Sequence, residues 1–196
     1  MGFRNREIEV KLIVEGTSLD KLHSILAEHL SSHGVDDQIY GKSADWFWAL
    51  PEKAEGQFLR LRDLGSIREM TVKARDRDLL NRLEVEIQTK SSLNQCKRLI
   101  KSMYGKSDGK ITKEYYVFNI EGLAHSAISV YDVEVEGQPK FKDMIVEIEM
   151  LTESNILHWE KEITSVLREA GLKVYRAPGS LYEMFIECKY GDMTNV

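Results

Sequence analysis

The sequence predicts a mainly β fold of the α+β class: a closed barrel or strongly curled sheet of seven or eight antiparallel strands, with helices packed outside. Three observations carry this. Apolar and charged residues alternate with period two through most of the chain between residues 6 and 151. The alternating segments are joined by short connections, which favour antiparallel pairing. Three further stretches carry apolar residues at helical spacing and need a surface on which to bury them. At 196 residues, 42% hydrophobic and 30% charged, the chain reads as one globular domain over residues 1–196.

In chain order, "REIEVKLIV" (Arg6–Val14) puts Glu7, Glu9 and Lys11 on one face of a strand and Ile8, Val10 and Leu12 on the other. In "EGTSLDKLHSILAEHLSSHG", Thr17 or Ser18 can cap a helix striped by Leu19, Leu22, Leu26 and Leu30, with Gly34 to end it. "QFLRLRD" sets Arg60 and Arg62 against Leu59 and Leu61, and "REMTVKAR" sets Thr71, Lys73 and Arg75 against Met70, Val72 and Ala74. "NRLEVEIQ" opposes Arg82, Glu84 and Glu86 to Leu83, Val85 and Ile87. Ser91 or Ser92 opens a second helix carrying Leu93, Cys96, Leu99, Ile100 and Met103, with Gly105 as its stop. After the strand "ITKEYYVF", "SVYDVEVEG" sets Asp132, Glu134 and Glu136 against Tyr131, Val133 and Val135. "MIVEIEML" sets Glu147 and Glu149 against Val146, Ile148 and Met150. Ser154 opens a third helix with Ile156, Trp159, Ile163 and Leu167, closed by Gly171, and "SLYEMFIECKY" is expected to be strand in part.

Any one of these charged faces is explained by water. As a set they are harder to explain, because like charges on neighbouring strands repel. The x-E-x-E-x pattern recurs at Glu7/Glu9, Glu84/Glu86, Glu134/Glu136 and Glu147/Glu149, with Lys11, Arg60, Arg62, Lys73, Arg75 and Arg82 at comparable density. Turned inward, these faces would line a polar tunnel. Carboxylate clusters hold hard cations such as Mg²⁺ or Mn²⁺, and Arg and Lys grip phosphate oxygens. A ligand meeting both demands is a metal-chelated polyphosphate.

The ordered series of motifs is specific. "EIEVK" resembles the E-x-E-x-K signature of the CYTH superfamily, the triphosphate tunnel metalloenzymes, which includes class IV adenylyl cyclases, thiamine triphosphatases and tripolyphosphatases. "SADWFW", "LRLR", "TVKAR", "RLEVE", "YDVEVEG", "VEIEM" and "GSLYEMF" follow in the family's order. The resemblance implies a closed eight-stranded antiparallel barrel with helices outside. It implies Glu7, Glu9, Glu147 and Glu149 as metal ligands for Mg²⁺ or Mn²⁺, helped by Asp132 and one of Glu84 or Glu86. Lys11, Arg60, Arg62, Lys73, Arg75 and Arg82 would bind the triphosphate, with Lys113 and Arg176 as further candidates. Lys73, Glu84 and Glu86 are the candidates for orienting the attacking oxygen. In "KITKEYYVF" only Lys113 answers a basic pair that the family carries, and Tyr115 stands where an Arg is expected. The readings, in order, are a metal-dependent hydrolase of tripolyphosphate or an organic triphosphate, a class IV adenylyl cyclase, and a non-catalytic binder of polyphosphate or nucleotides. A homodimer is plausible for the family.

Other features point elsewhere. The net charge of -5 argues against a nucleic-acid partner. Cys96 and Cys188 show no metal-ligand spacing, which suits a reduced cytoplasmic setting. There is no long apolar run to span a membrane, and the start MGFRNR lacks the Ser or Thr of a myristoylation signal. His29 and His33 are four apart without a third ligand in sequence and read as solvent-facing. Trp46 and Trp48 read as packing or rim residues and Trp159 as core, while "GKSDGK" (Gly105–Lys110) lacks the P-loop spacing and reads as a turn.

Overall fold

The strand read from "REIEVKLIV" is β1 (Arg4–Glu15) in the structure, a computed structural model. The structure describes residues 4–35, 38–50, 57–75, 81–120, 126–150 and 152–187, with backbone alone for residues 4–7, 74–75, 81–84, 153–154 and 187. After β1 come α1 (Leu19–Ser31), β2 (Gln38–Ala49), β3 (Phe58–Asp63), β4 (Arg68–Arg75) and β5 (Asn81–Thr89). Then follow α2 (Leu93–Tyr104), β6 (Gly109–Asn119), β7 (Ala127–Tyr131), β8 (Glu134–Val135), β9 (Met144–Met150), α3 (Glu153–Glu169) and β10 (Lys173–Arg176).

One mainly antiparallel sheet holds all the strands, in the order β10-β1-β5-β4-β3-β2-β6-β7-β9, with β8 beside β6. β1 pairs with β5 over Arg4–Ile8 and with β10 over Leu12–Glu15. It also pairs with β9, from Ile8 opposite Met150 to Val14 opposite Met144.

The outer face of β1 meets two helices. Ile8, Val10, Leu12 and Val14 pack with Val146 and Ile148 of β9, with Leu22, Leu26 and Leu30 of α1, and with Ile156, Trp159, Ile163 and Leu167 of α3. The stripes recur every three or four residues, so each helix buries one face and leaves the other wet. Ser18 caps α1 by accepting from the Lys21 amide, and Ser92 forms a capping box with Gln95 at α2. α2 covers a separate cluster of Trp46, Trp48, Leu59, Leu61, Cys96 and Ile100.

Several expectations change. α3 is capped by Thr152, two residues earlier than Ser154. Within the predicted α2 stripe, Leu99 and Met103 are more than half exposed, and it is Cys96 and Ile100, with Leu93 beside them, that pack against the strands. "SVYDVEVEG" is not one strand but β7 and β8 with a break at residues 132–133. Of the stretch expected to be partly strand, residues 181–187 are helical, with a π-helical turn over Glu183–Glu187, and residues 188–190 lie outside the described residues. Its Leu181, Tyr182, Met184 and Phe185 are buried against Ile13, Phe47, Phe58, Tyr131, Val133, Val135 and Ile145. A strand could present only alternate residues to that cluster, whereas a helical turn presents four close together.

Candidate functional site

Ile13, Phe47, Phe58 and Ile145 are in phase with the charged residues of their strands, so the apolar cluster closes one end of a charged cavity. That cavity is lined by Glu9 and Lys11 of β1, Asp45 of β2, Arg60 and Arg62 of β3, Lys73 of β4, Lys113 of β6 and Glu147 of β9. Phe47, Phe58, Ser180, Leu181 and Tyr182 complete the lining. Strands far apart in the ladder therefore curl round to share one space. For these residues the outward reading fails, since Glu9, Lys11, Arg60 and Lys73 are each 7–8% exposed, but it holds for Glu86, Glu134 and Glu136, which are exposed.

The charges are arranged in two walls. On the β1/β9 side, oxygens of Glu9, Glu147 and Glu149 lie within 4.8 Å of one another. The Lys11 ammonium stands 2.9 Å from Glu9 and 3.0 Å from Glu147. The register explains this, since Lys11 lies directly opposite Glu147 and Glu9 opposite Glu149. Burial alone would push the Glu147 carboxyl up, but Lys11 beside it holds it well below the usual carboxylate range. The Tyr131 hydroxyl donates to Glu147 at 2.5 Å, and burial followed by that carboxylate pushes the phenol well up. A set of three carboxylates, with oxygen donors only, fits Mg²⁺ or Mn²⁺ in donor chemistry.

The opposite wall is cationic. Arg62 donates from Nε and Nη2 to the two carboxylate oxygens of Asp45, at 2.9 and 3.0 Å. Lys113 Nζ is 3.4 Å from Asp45. Burial would raise the Asp45 carboxyl, yet Arg62 and then Lys113 drive it far below its ordinary value. Burial, with Arg62 nearby, pushes the Lys113 ammonium down to about 8. Arg60 donates from Nη2 to Glu69 at 2.7 Å and to Thr71 at 3.0 Å, while its buried Nε has no hydrogen-bond partner among the described residues. Lys73 bridges the walls, 3.6 Å from Glu9.

The structure thus brings together Glu9, Lys11, Arg60, Arg62, Lys73, Lys113, Glu147 and Glu149. Three expected site residues lie elsewhere. Asp132 binds Lys140 at 2.9 Å and accepts from the Glu114 amide at 3.0 Å, away from the carboxylate wall. The reason is phase: Tyr131, Val133 and Val135 turn inward to the apolar cluster, which turns Asp132 out. Arg176 donates to Glu160 of α3 at 2.8 Å, because its partner Leu12 points toward the helices. Glu86 is exposed, takes a hydrogen bond from Gln88 and is not among the cavity-lining residues. Glu7, Arg75, Arg82 and Glu84 lie outside the residues whose side chains are described; their backbones pair in β1, β4 and β5.

Asp45, Glu69 and Tyr131 belong to the site without having been singled out from sequence. Asp45 had a signal, since it shares the phase of Phe47 in "SADWFW". Trp46 and Trp48 take the other phase and are buried under α2. Tyr115 lies across Gly41, where an added Cβ would come within 2.5 Å of the phenol oxygen. It packs against the apolar cluster and supplies no second cation beside Lys113.

No family model and no curated protein matches this chain. Solved structures do. A provisionally assigned adenylate cyclase from Bacillus halodurans matches with a TM-score of 0.65 at 14% identity, over 93% of this chain and 98% of its own. One similarly assigned from Vibrio parahaemolyticus matches at 0.60 and 15%, over 93% and 98%. A Pyrococcus horikoshii protein matches at 0.60 and 22%, over 85% and 91%. At these identities the likeness shows a shared fold.

Proposed function

We propose that the chain is a member of the CYTH superfamily, a triphosphate tunnel metalloenzyme that hydrolyses tripolyphosphate or an organic triphosphate. In this reading the sheet is a closed eight-stranded barrel, supported by the pairing of β1 with both β5 and β9. The observation that carries the function is the facing of two carboxylates (Glu9 and Glu147, with Glu149 within 4.8 Å of them) and a cation wall (Arg60, Arg62, Lys73, Lys113) across one cavity.

The roles follow from charge and position. Arg60, Arg62, Lys113 and Lys11 bind the phosphate oxygens, and Asp45 and Glu69 hold the guanidinium planes in place before substrate arrives. Glu9, Glu147 and Glu149 hold Mg²⁺ or Mn²⁺, joined by Glu7 in the family pattern. When bound, the metal neutralises charge on the phosphoryl group in flight. Lys73, next to Glu9, orients the attacking water, with Glu84 as the remaining candidate for that role. Water oxygen bonds to the terminal phosphorus as the bridging P–O bond breaks, and the shortened phosphate chain departs with the electron pair. The apolar end formed by Phe47, Phe58 and Tyr182 excludes bulk water there.

A class IV adenylyl cyclase is the second reading, favoured by the names of two proteins that share the fold. Burial of Trp46 and Trp48 under α2 removes both as adenine platforms and favours the hydrolase. A non-catalytic binder ranks third, since an anion binder would not need buried carboxylates. The test offers tripolyphosphate, thiamine triphosphate, ATP and GTP with Mg²⁺ or Mn²⁺, and follows phosphate, pyrophosphate and cyclic AMP. Phosphate release is expected; cyclic AMP as major product supports the cyclase, and tight binding without turnover supports the binder.

A further inference from the structure

A second group of metal-ligating side chains lies on the opposite side of the sheet, between α1 and α3. His29 is in the last turn of α1, and His33 follows one turn later. α3 brings Glu162 to them from 129 positions farther along than His33, so the third donor that sequence spacing lacked comes from another helix. One donor atom from each of the three residues can be chosen such that all lie within 4.8 Å of one another. His29 Nε2 stands 4.0 Å from Glu162 Oε2.

Two details give this cluster the character of a site. The His29 side chain is 17% exposed, and its Nε2 is covered by protein without a hydrogen-bond partner among the described residues. A buried imidazole nitrogen left so forfeits the free energy of a hydrogen bond unless something else binds it. On the second ring, His33 Nδ1 lies 3.1 Å from the His29 carbonyl. A carbonyl only accepts, so Nδ1 carries the proton and Nε2 keeps its lone pair. A ligating histidine normally has its other ring nitrogen fixed in this way.

We propose that His29, His33 and Glu162 form a metal site for a borderline divalent ion such as Zn²⁺, clasping the end of α1 to the middle of α3. Two imidazoles and a carboxylate suit Zn²⁺, whereas Mg²⁺ prefers the all-oxygen wall of the cavity. With Zn–N and Zn–O bonds of ~2.0–2.2 Å, two ligands of one tetrahedral ion stand ~3.4 Å apart, so His29 and Glu162, at 4.0 Å, need only a small side-chain adjustment to share one. Burial, and next the neighbouring His33, lower the His29 imidazolium from its ordinary value. The Glu162 side chain is 37% exposed, which gives an ion an entry from solvent. With three protein donors, the fourth position is left to water.

The experiment uses full-length protein stripped of metal and titrated with ZnCl₂ by calorimetry, with Co²⁺ absorption as a second readout. The proposal expects one equivalent outside the cavity, a thermal midpoint that rises with Zn²⁺, and visible cobalt bands of low coordination number. Glu162→Gln and His33→Gln, each checked for native circular dichroism, should weaken Zn²⁺ about tenfold or more. A Glu147→Gln/Glu149→Gln variant should keep this equivalent, which separates the clasp from the proposed cavity metal. Absence of Zn²⁺ binding, binding untouched by Glu162→Gln and His33→Gln, or loss only in the cavity variant would each overturn it.

Discussion

Along β1, Val10 and Leu12 on one face are 3% and 2% exposed, and Glu9 and Lys11 on the other are 8% each. The two faces are removed from water almost equally, but by different means. The outer face meets α1 and α3, and burial itself is the stabilising term, at roughly 25 cal/mol per Å² of apolar surface. On the inner face every charge loses hydration at a cost of several kcal/mol, returned only by its paired neighbours. Well-packed hydrophobic residues would serve stability as well or better. Stability therefore accounts for the apolar face, whereas the charged face is accounted for by the proposed ligand.

The sharpest way to break this contrast is to remove one counter-ion. Asp45→Ala leaves Arg62 and Lys113 buried without their carboxylate and should destabilise by ~3–5 kcal/mol. Added tripolyphosphate should recover part of that loss in a melting experiment, because the anion takes the place of Asp45. Leu26→Ala, in the α1 stripe, should cost about 2–5 kcal/mol through its cavity, and the anion should add no more than it adds to the parent protein. Equal recovery in both variants would erase the distinction between the faces.

Next in size, Glu9→Gln or Glu149→Gln should lower turnover about a hundredfold or more while leaving the fold intact. Undiminished turnover in both variants would remove the metal assignment. Tyr131→Phe should cost about 0.5–1.5 kcal/mol by taking the hydroxyl from Glu147.

The smallest effect is a pH dependence. In the proposed role Lys113 holds phosphate oxygens as the ammonium, and its pKa is pushed down to about 8. Affinity for tripolyphosphate should fall as pH rises through about 8, by less than tenfold per unit for one proton, and Lys113→Met should flatten the fall. For stability the sign is opposite. Between about 8 and the ordinary lysine value the unfolded chain holds the proton more tightly, so this group's contribution rises with pH.

Strand alternation made most of the site legible, because a period of two fixes which residues share a face once one of them is placed. Glu9, Lys11, Arg60, Arg62, Lys73, Glu147 and Glu149 were readable for that reason. Alternation does not say where its phase meets a plug. Asp132 was placed inward because the acidic residues of "SVYDVEVEG" match those of other strands, yet the apolar end of the cavity claims Tyr131, Val133 and Val135. Asp45 sits in a run dominated by aromatic residues, so its role as counter-ion to Arg62 emerged only from the β2–β3 register. The helices were legible from stripes and caps, while the π-helical turn was hidden in an apolar run that fits either period. Glu162 beside His29 is a contact between helices distant in sequence, which no spacing rule encodes.

The most direct test of the two-walled cavity is a crystal grown with Mn²⁺ and tripolyphosphate, read by anomalous scattering. The expected result is a manganese peak among Glu9, Glu147 and Glu149, with phosphate oxygens on Arg60, Arg62 and Lys113. Manganese bound away from these carboxylates, or phosphate bound outside the cavity, would contradict it.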